Sequence, residues 1–238
     1  MKKIAAFFLL SILTLGAYCQ EIDIRYEDNA QVEIAVLGSM RILIDVYNPS
    51  YLSAPVTNND ILLTSHFHDD HYKKEFAEGF VGKKIEMEPG ELETSICIIE
   101  SISGSHSTSS LPAEKGSNYI FIIDIADIRI VHFGDQEPRD LTDELLASLG
   151  KVDIAFMQFG VEPEFSSMIE TIKPALVIPT HLGPGAAKQA SRNWKSYWND
   201  QGLLLNKESI PVETSFIFMG ISAKGYGKIL KLKEWARE

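Results

Sequence analysis

Cysteine is almost missing from this chain, which has only Cys19 and Cys97. That excludes a thiolate-rich structural zinc site and a disulfide framework. Cys97 sits in the alternating apolar pattern Ser95-Ile96-Cys97-Ile98-Ile99 and reads as a buried, inert thiol. Positive charge is scarce too: 22 Lys and Arg face 33 Asp and Glu, a formal charge of −11, and no basic cluster stands out. Nucleic acid is therefore not an expected partner. No Pro- or Ser-rich linker and no fixed-period repeat divides the sequence, so residues 20–238 read as one domain. The one long apolar run is at the start. Met1-Lys2-Lys3, the apolar stretch Ile4 to Leu15 and Ala17-Tyr18-Cys19 together read as a signal peptide over 1–19, cleaved before Gln20. An exported protein, periplasmic or secreted, with no membrane span after cleavage is the expectation. The alternative is a lipid anchor on Cys19, against which Tyr18 is bulky where such sites favour small residues.

What is present in quantity is short alternating apolar segments. Strands are predicted at Ile22 to Tyr26, Val32 to Leu37, Ile42 to Asp45, Ile61 to Thr64, Lys84 to Met87, Ser95 to Ile102, Tyr119 to Asp124, Ile128 to His132 and Ser215 to Ile221. Ala126-Asp127 would close a hairpin. Helical spacing appears at Tyr72 to Ala77, Leu141 to Leu149, Ser166 to Ile172 and Ala187 to Trp198, where Trp194 and Trp198 would share one face as packing anchors. Lys228 to Arg237 mixes charges and reads as a solvated end.

Directly after Ile61-Leu62-Leu63-Thr64 comes Ser65-His66-Phe67-His68-Asp69-Asp70-His71. Alternate residues of an extended segment point the same way, so His66 and His68 can face one ion while the following turn swings Asp70 and His71 toward a second. Imidazole and carboxylate suit zinc first, with manganese or iron as alternatives. The bland reading is a solvated His/Asp-rich loop.

Three histidines remain of the six in the chain: His106, His132 and His181. His106 follows the strand pattern ending at Ile102, and His181 lies in the segment that follows Ala175 to Val177, each opening a loop. Alone, either would pass for an ordinary hydrogen-bonded histidine; beside the motif they can supply missing ligands. In Val131-His132-Phe133-Gly134-Asp135, Gly134 lets the chain bend so that Asp135 is presented at a strand end. One carboxylate can bridge two cations about 3.5 to 4 Å apart, which a histidine cannot do. His132 reads as a residue packed beneath the site, holding a ligand or loop.

The series His66-x-His68-x-Asp70-His71, His106, Gly134-Asp135, His181 resembles the ligand series of the metallo-β-lactamase-fold hydrolases, in that family's order. Val152 to Met157 and Ser167 to His181 look like a passage of the branch containing the ascorbate-phosphate lactonases and phospholipase-D-like members. The resemblance implies an αββα sandwich of two mixed sheets with outer helices. It also implies a first metal on His66, His68 and His106, a second on Asp70, His71 and His181, and Asp135 between them. The implied reaction is attack of a two-metal-activated hydroxide on an ester, lactone or phosphoester of a small or lipid-like molecule. Asp70 would then orient the nucleophile and carry its proton. Asp135 at the bridge position puts antibiotic hydrolysis in doubt. An iron redox or dioxygenase protein, or a non-catalytic metal-binding module, is the alternative on the same fold. For an anionic substrate group the candidates are Lys115, Asn118 and Arg139, near the polar stretch Ser107 to Gly116.

Overall fold

The structure, a computed structural model, describes residues 22–36, 38–107, 112, 114–125, 128–158, 164–174, 176–181, 204–205, 214–222 and 225–232. The leader 1–19, the helix expected at Ala187 to Trp198, the hairpin turn expected at Ala126-Asp127 and half of the Ser107 to Gly116 stretch lie outside them.

Among the described residues, two seven-stranded sheets make up the fold. The first contains β1 (Ile22–Asp28), β2 (Gln31–Val36), β3 (Met40–Ile44), β4 (Ile61–Thr64), β5 (Lys83–Glu86), β13 (Thr214–Ser222) and β14 (Gly225–Leu232), in the order β13-β14-β1-β2-β3-β4-β5. The second contains β6 (Gly90–Glu93), β7 (Cys97–His106), β8 (Glu114–Ile125), β9 (Ile128–His132), β10 (Ile154–Gln158), β11 (Leu176–Thr180) and β12 (Leu204–Leu205), ordered β12-β11-β10-β9-β8-β7-β6. Both sheets are mixed: β3-β4-β5 and β9-β10-β11 run parallel among antiparallel neighbours.

Strand alternation explains the layering. Ile34, Ile42, Ile44 and Leu63 point inward and meet Ile99, Phe121, Ile123, Ile130 and Phe156 of the opposite sheet. Their neighbours Leu43 and Leu62 face out and are covered around α1 (Lys74–Glu78), which contributes Ala77 and Phe76. On the far side Ile120, Ile122, Val131, Ala155 and Met157 face out. Leu145 and Leu149 of α2 (Asp143–Leu149) and Met168 of α3 (Glu164–Ile172) cover them. Helices thus lie outside both sheets, as the sequence predicts. Among the described residues no helix is long and apolar enough to cross a membrane.

Three expectations change. His106 does not open a loop: β7 continues through it, because after a register shift at Gly104/Ser105 the strand pairs again with Lys115 and Glu114. Lys228 to Leu232 is not a free end but the larger part of β14, paired with β1 from Tyr26↔Lys228 to Ile22↔Leu232. Backbone ladders form whatever the side-chain polarity, and Lys228-Ile229-Leu230-Lys231-Leu232 has strand character once a partner exists. The edge strand β6 was not expected, since its two glutamates and lack of β-branched residues carry little strand propensity.

Candidate metal centre

Every candidate ligand sits at or just beyond the end of a strand. His66 to His71 follow β4, His106 ends β7, Asp135 follows β9 and His181 follows β11. One ligand group therefore comes from the first sheet and the other elements from the second, converging on a single rim. Their backbones are held in unusual shapes there. Asp45 has φ 51°, His181 φ 58° and Gly134 φ 54°, all in the left-handed region. For Asp45 and His181 that costs on the order of 1 kcal/mol each, which the surrounding packing must offset.

The sequence candidates are brought together in two groups, His66, His68, His106 with Asp135, and Asp70, His71 with His181. Within each, one ligand atom per residue lies within 4.8 Å of the others. His66 Nε2 is 3.2 Å from His68 Nδ1, and His71 Nε2 is 3.1 Å from His181 Nε2. Asp135 stands between the groups. Its Oδ1 is 2.8 Å from His181 Nε2 and 3.3 Å from His71 Nε2. Its Oδ2 is 3.8 Å from both His66 Nε2 and His106 Nε2. Asp70 Oδ2 approaches His181 Nδ1 at 3.6 Å and its side chain is 41% exposed, so it marks the mouth of the site.

The electrostatics test whether cations fit. Burial alone would raise the Asp135 pKa, but His181 and His71 beside it hold it well below the usual carboxylate range. Burial also opposes a charge on His71, yet Asp45 and Asp135 outweigh it and push its pKa up to about 10. His66 is driven down to about 3, by burial first and then by the adjacent charge of His71. Burial likewise lowers His106. A buried carboxylate oxygen, Asp135 Oδ1, accepts no hydrogen bond of good geometry although imidazole nitrogens crowd it. Converging lone pairs with a proton trapped among them are what a cluster of hard-to-borderline donors presents to divalent cations, so the residues fit the metals the sequence implies.

Beneath the ligands lies a layer that sequence reasoning only half found. Asp45, fully buried, accepts from Ser65 N–H at 2.7 Å, from the Ser65 hydroxyl at 2.8 Å and from His71 Nδ1 at 2.9 Å. Burial would raise its pKa; His71, and then His132 and His66, hold it lowered. The bond to Asp45 occupies His71 Nδ1 and leaves Nε2 for a ligand. Ser65 does the same for His66: with its own proton on Asp45, its oxygen accepts from His66 Nδ1 at 3.0 Å. The signal for Asp45 was an acid closing the apolar run Ile42-Leu43-Ile44; nothing local marked Ser65.

His132 behaves as expected of a residue under the site. Gly134 N–H donates to its Nδ1 at 3.1 Å, and its Nε2 donates to Ala30 O at 3.1 Å. Burial pulls its pKa down, and with both ring nitrogens bonded to backbone groups it has no lone pair left for a cation. Asn118 is not a substrate contact but a fully buried brace. Its Nδ2 donates to Phe133 O at 2.9 Å, and its Oδ1 accepts from Asp135 N–H at 3.2 Å. A side chain at Gly134 would collide with Asn118 Oδ1 and crowd Ser65, so this turn requires glycine on both steric and conformational grounds.

Comparison with known proteins agrees with this geometry. Residues 23–181 match the Beta-lactamase superfamily domain. A metal-dependent hydrolase of Thermococcus onnurineus (strain NA1) is 26% identical over 195 residues, covering 67% of this chain and 84% of that protein. One from Pyrococcus horikoshii is 28% identical over 177 residues, covering 60% of this chain and 78% of that one. Among solved structures, the metallo-β-lactamase fold protein YhfI of Bacillus subtilis aligns with TM-score 0.52 at 14% identity, covering 73% of this chain and 92% of that chain. The di-iron β-hydroxylase CmlA of Streptomyces venezuelae aligns with TM-score 0.53 at 13% identity, covering 69% of this chain and 45% of that one. With two mixed sheets, outer helices and ligands gathered at one rim, this chain has the metallo-β-lactamase fold and belongs to the beta-lactamase superfamily domain family.

Proposed function

We propose that the protein is a metal-dependent hydrolase that binds two divalent cations and cleaves an ester, lactone or phosphoester bond of a small or lipid-like molecule. Zinc is the first choice of metal, with manganese or iron as alternatives. The observation that carries the two-metal reading is Asp135, whose Oδ1 faces His71 and His181 while Oδ2 faces His66 and His106. His66, His68 and His106 would hold one ion, Asp70, His71 and His181 the other, with Asp135 shared. When bound, such a pair supplies Lewis acidity and lowers the proton affinity of water between the ions. The chain's own share is orientation and proton movement. Asp45 and Ser65 aim His71 and His66, while the partly exposed Asp70 carboxylate at the mouth can take a proton from the nucleophile and pass it to the leaving group.

An apolar substituent on the substrate fits the rim. Phe67, set between two ligands, is 68% exposed and its ring lies 5.3 Å from that of Tyr72. The branch containing lactonases and phospholipase-D-like members is the part of the family this reading favours. Export follows from the 1–19 leader, with a mature protein beginning near Gln20. Mass spectrometry of the purified protein tests that: a retained Met1 or a lipid on Cys19 would contradict it.

Elemental analysis followed by assays on lactone, phosphodiester, carboxylic ester and β-lactam substrates tests the activity. Two equivalents of metal with turnover of one of the first three classes is the expected result. Bound iron with a redox-active spectrum would favour the dioxygenase alternative, and bound metal without any turnover the non-catalytic module.

A further inference from the structure

The turn that carries Asp135 and the strand end that carries His106 are joined by one buried side chain. At the register shift between Gly104 and Ser105, β7 changes its alignment with β8 and pairs again from Ser105↔Lys115. Gln136 binds the backbone of β7 at that point. Its Oε1 accepts from Ser105 N–H at 2.9 Å, its Nε2 donates to Ser105 Oγ at 3.3 Å and to Glu137 O at 3.0 Å, and Glu137 N–H donates to Ser105 O at 2.8 Å. Both backbone groups of Ser105 are thus satisfied by Gln136-Glu137, as a strand neighbour would satisfy them. Ser105 Oγ in turn donates to Asp140 Oδ2 at 2.6 Å, and Ser107 Oγ to Glu137 Oε2 at 2.7 Å. Gly104 leaves the amide its room, since a Cβ there would collide with Gln136 Oε1.

Ser105 and Gln136 each adjoin a member of the same candidate ligand group, His106 and Asp135. We propose that Gln136 is a positioning residue: its amide clamps the His106 strand end to the Asp135 turn and so sets the affinity of the His66, His68, His106 and Asp135 group for its cation. The inference rests on the two-metal reading above. It assigns Gln136 no contact with metal or substrate. The effect is largest on that side: His106 belongs to it alone and Asp135 is shared, while His71 is held by Asp45 and His181 by a backbone bond from its N–H to Asn29 O at 2.7 Å.

The test is cobalt titration against a chelating competitor, followed by the visible absorption of the bound ion. The parent protein, Gln136→Leu, Asp140→Ala, Asp140→Asn and His106→Ala are compared. His106→Ala identifies which of two binding phases belongs to the clamped group. Gln136→Leu should weaken that phase by about 10- to 100-fold, as loss of a residue supporting a ligand does, and weaken the other phase, which shares only Asp135 with it, by a clearly smaller factor. Asp140, at the wall of a solvent-open cavity of about 750 Å3, can be changed with little risk to folding. Asp140→Ala should weaken the same phase by a smaller factor, and Asp140→Asn, which keeps an acceptor for Ser105, should restore it. Unchanged phases in both Gln136→Leu and Asp140→Ala, or equal weakening of both phases, would overturn the clamp while leaving the two-metal reading intact. A parent that binds no cobalt would overturn both.

Discussion

Asp135 is almost enclosed by imidazoles, so the charge it carries has to be matched inside the cluster, by protons or by cations. Asp135→Asn keeps the shape and removes that charge. Bound metal should fall by at least one equivalent and kcat/KM by on the order of 100-fold or more, measured by elemental analysis and steady-state kinetics. Retention of both ions with unaltered kinetics would mean that the bridge does not exist. The metal-free protein should show the protons instead. His66 titrates near about 3 when folded, below the ordinary histidine value of about 6.5, so its contribution is present above about 6.5 and lost as pH falls toward about 3. His71 is the opposite case: held up to about 10, it contributes fully below about 6.5 and the contribution is lost as pH rises through about 10. Chelator-treated protein should therefore have its highest urea midpoint near neutrality and lose stability on both sides. His66→Gln should flatten the acid limb, and a midpoint that ignores pH would refute the assignment. The buried ligands also differ in what removal costs: His71→Ala leaves Asp45 buried without its main partner and should destabilise the fold, whereas the rim residue His106 should be replaceable with loss of metal alone.

Elements set the positions that residues exploit. The β9 end and its turn succeed because Gly134 passes where no side chain fits, with Asn118 bonded to both sides of the turn. Gly134→Ala should cost about 1 to 3 kcal/mol by overpacking and lower metal occupancy by displacing Asp135; denaturation and metal content measured together would check it. Normal occupancy would show the turn to be more tolerant than its contacts imply. α2 is a more ordinary case. Thr142 caps it by accepting from Leu145 N–H at 3.2 Å, and Thr142→Ala should cost about 1 kcal/mol without touching metal binding. Most elements were legible because strand alternation and apolar helix faces survive in the linear pattern: Leu43 and Leu62, facing out between inward neighbours, mark strands buried on both faces. β14 and the far end of β7 were not legible in this way. Each depends on a partner elsewhere in the chain, β1 for the one and the resumed ladder with β8 for the other.

At the scale of the whole molecule, the centre draws His66 to His71 from the first sheet and His106, Asp135 and His181 from the second. Cations held there would tie the sheets together and stabilise only the folded chain. At a thousandfold excess over Kd this amounts to about 4 kcal/mol, seen as a rise in Tm on adding zinc to chelated protein and its loss in Asp135→Asn. A Tm indifferent to zinc would count against a centre shared between sheets. The formal charge of −11 acts at longer range. It should slow the approach of anionic substrates, so their kcat/KM should rise with ionic strength while that of neutral esters stays level.

The candidate ligands and the strand layering could be read from the residue order alone. His66-x-His68-x-Asp70-His71 places donors by local geometry, and alternation of apolar residues dictates which faces of which strands are buried. Both signals are short-range, and so they can be read along a line. Which residues hold those candidates in place follows from the packing of the two sheets. Asp45 reaches His71 from 26 positions away, Gln136 reaches Ser105 from 31, and Asn118 reaches Asp135 from 17. None of these partners sits at a spacing that a helix or strand imposes. Their pairing arises because two sheets, once packed, bring the ends of unrelated strands to one rim, where each buried polar group must find a partner.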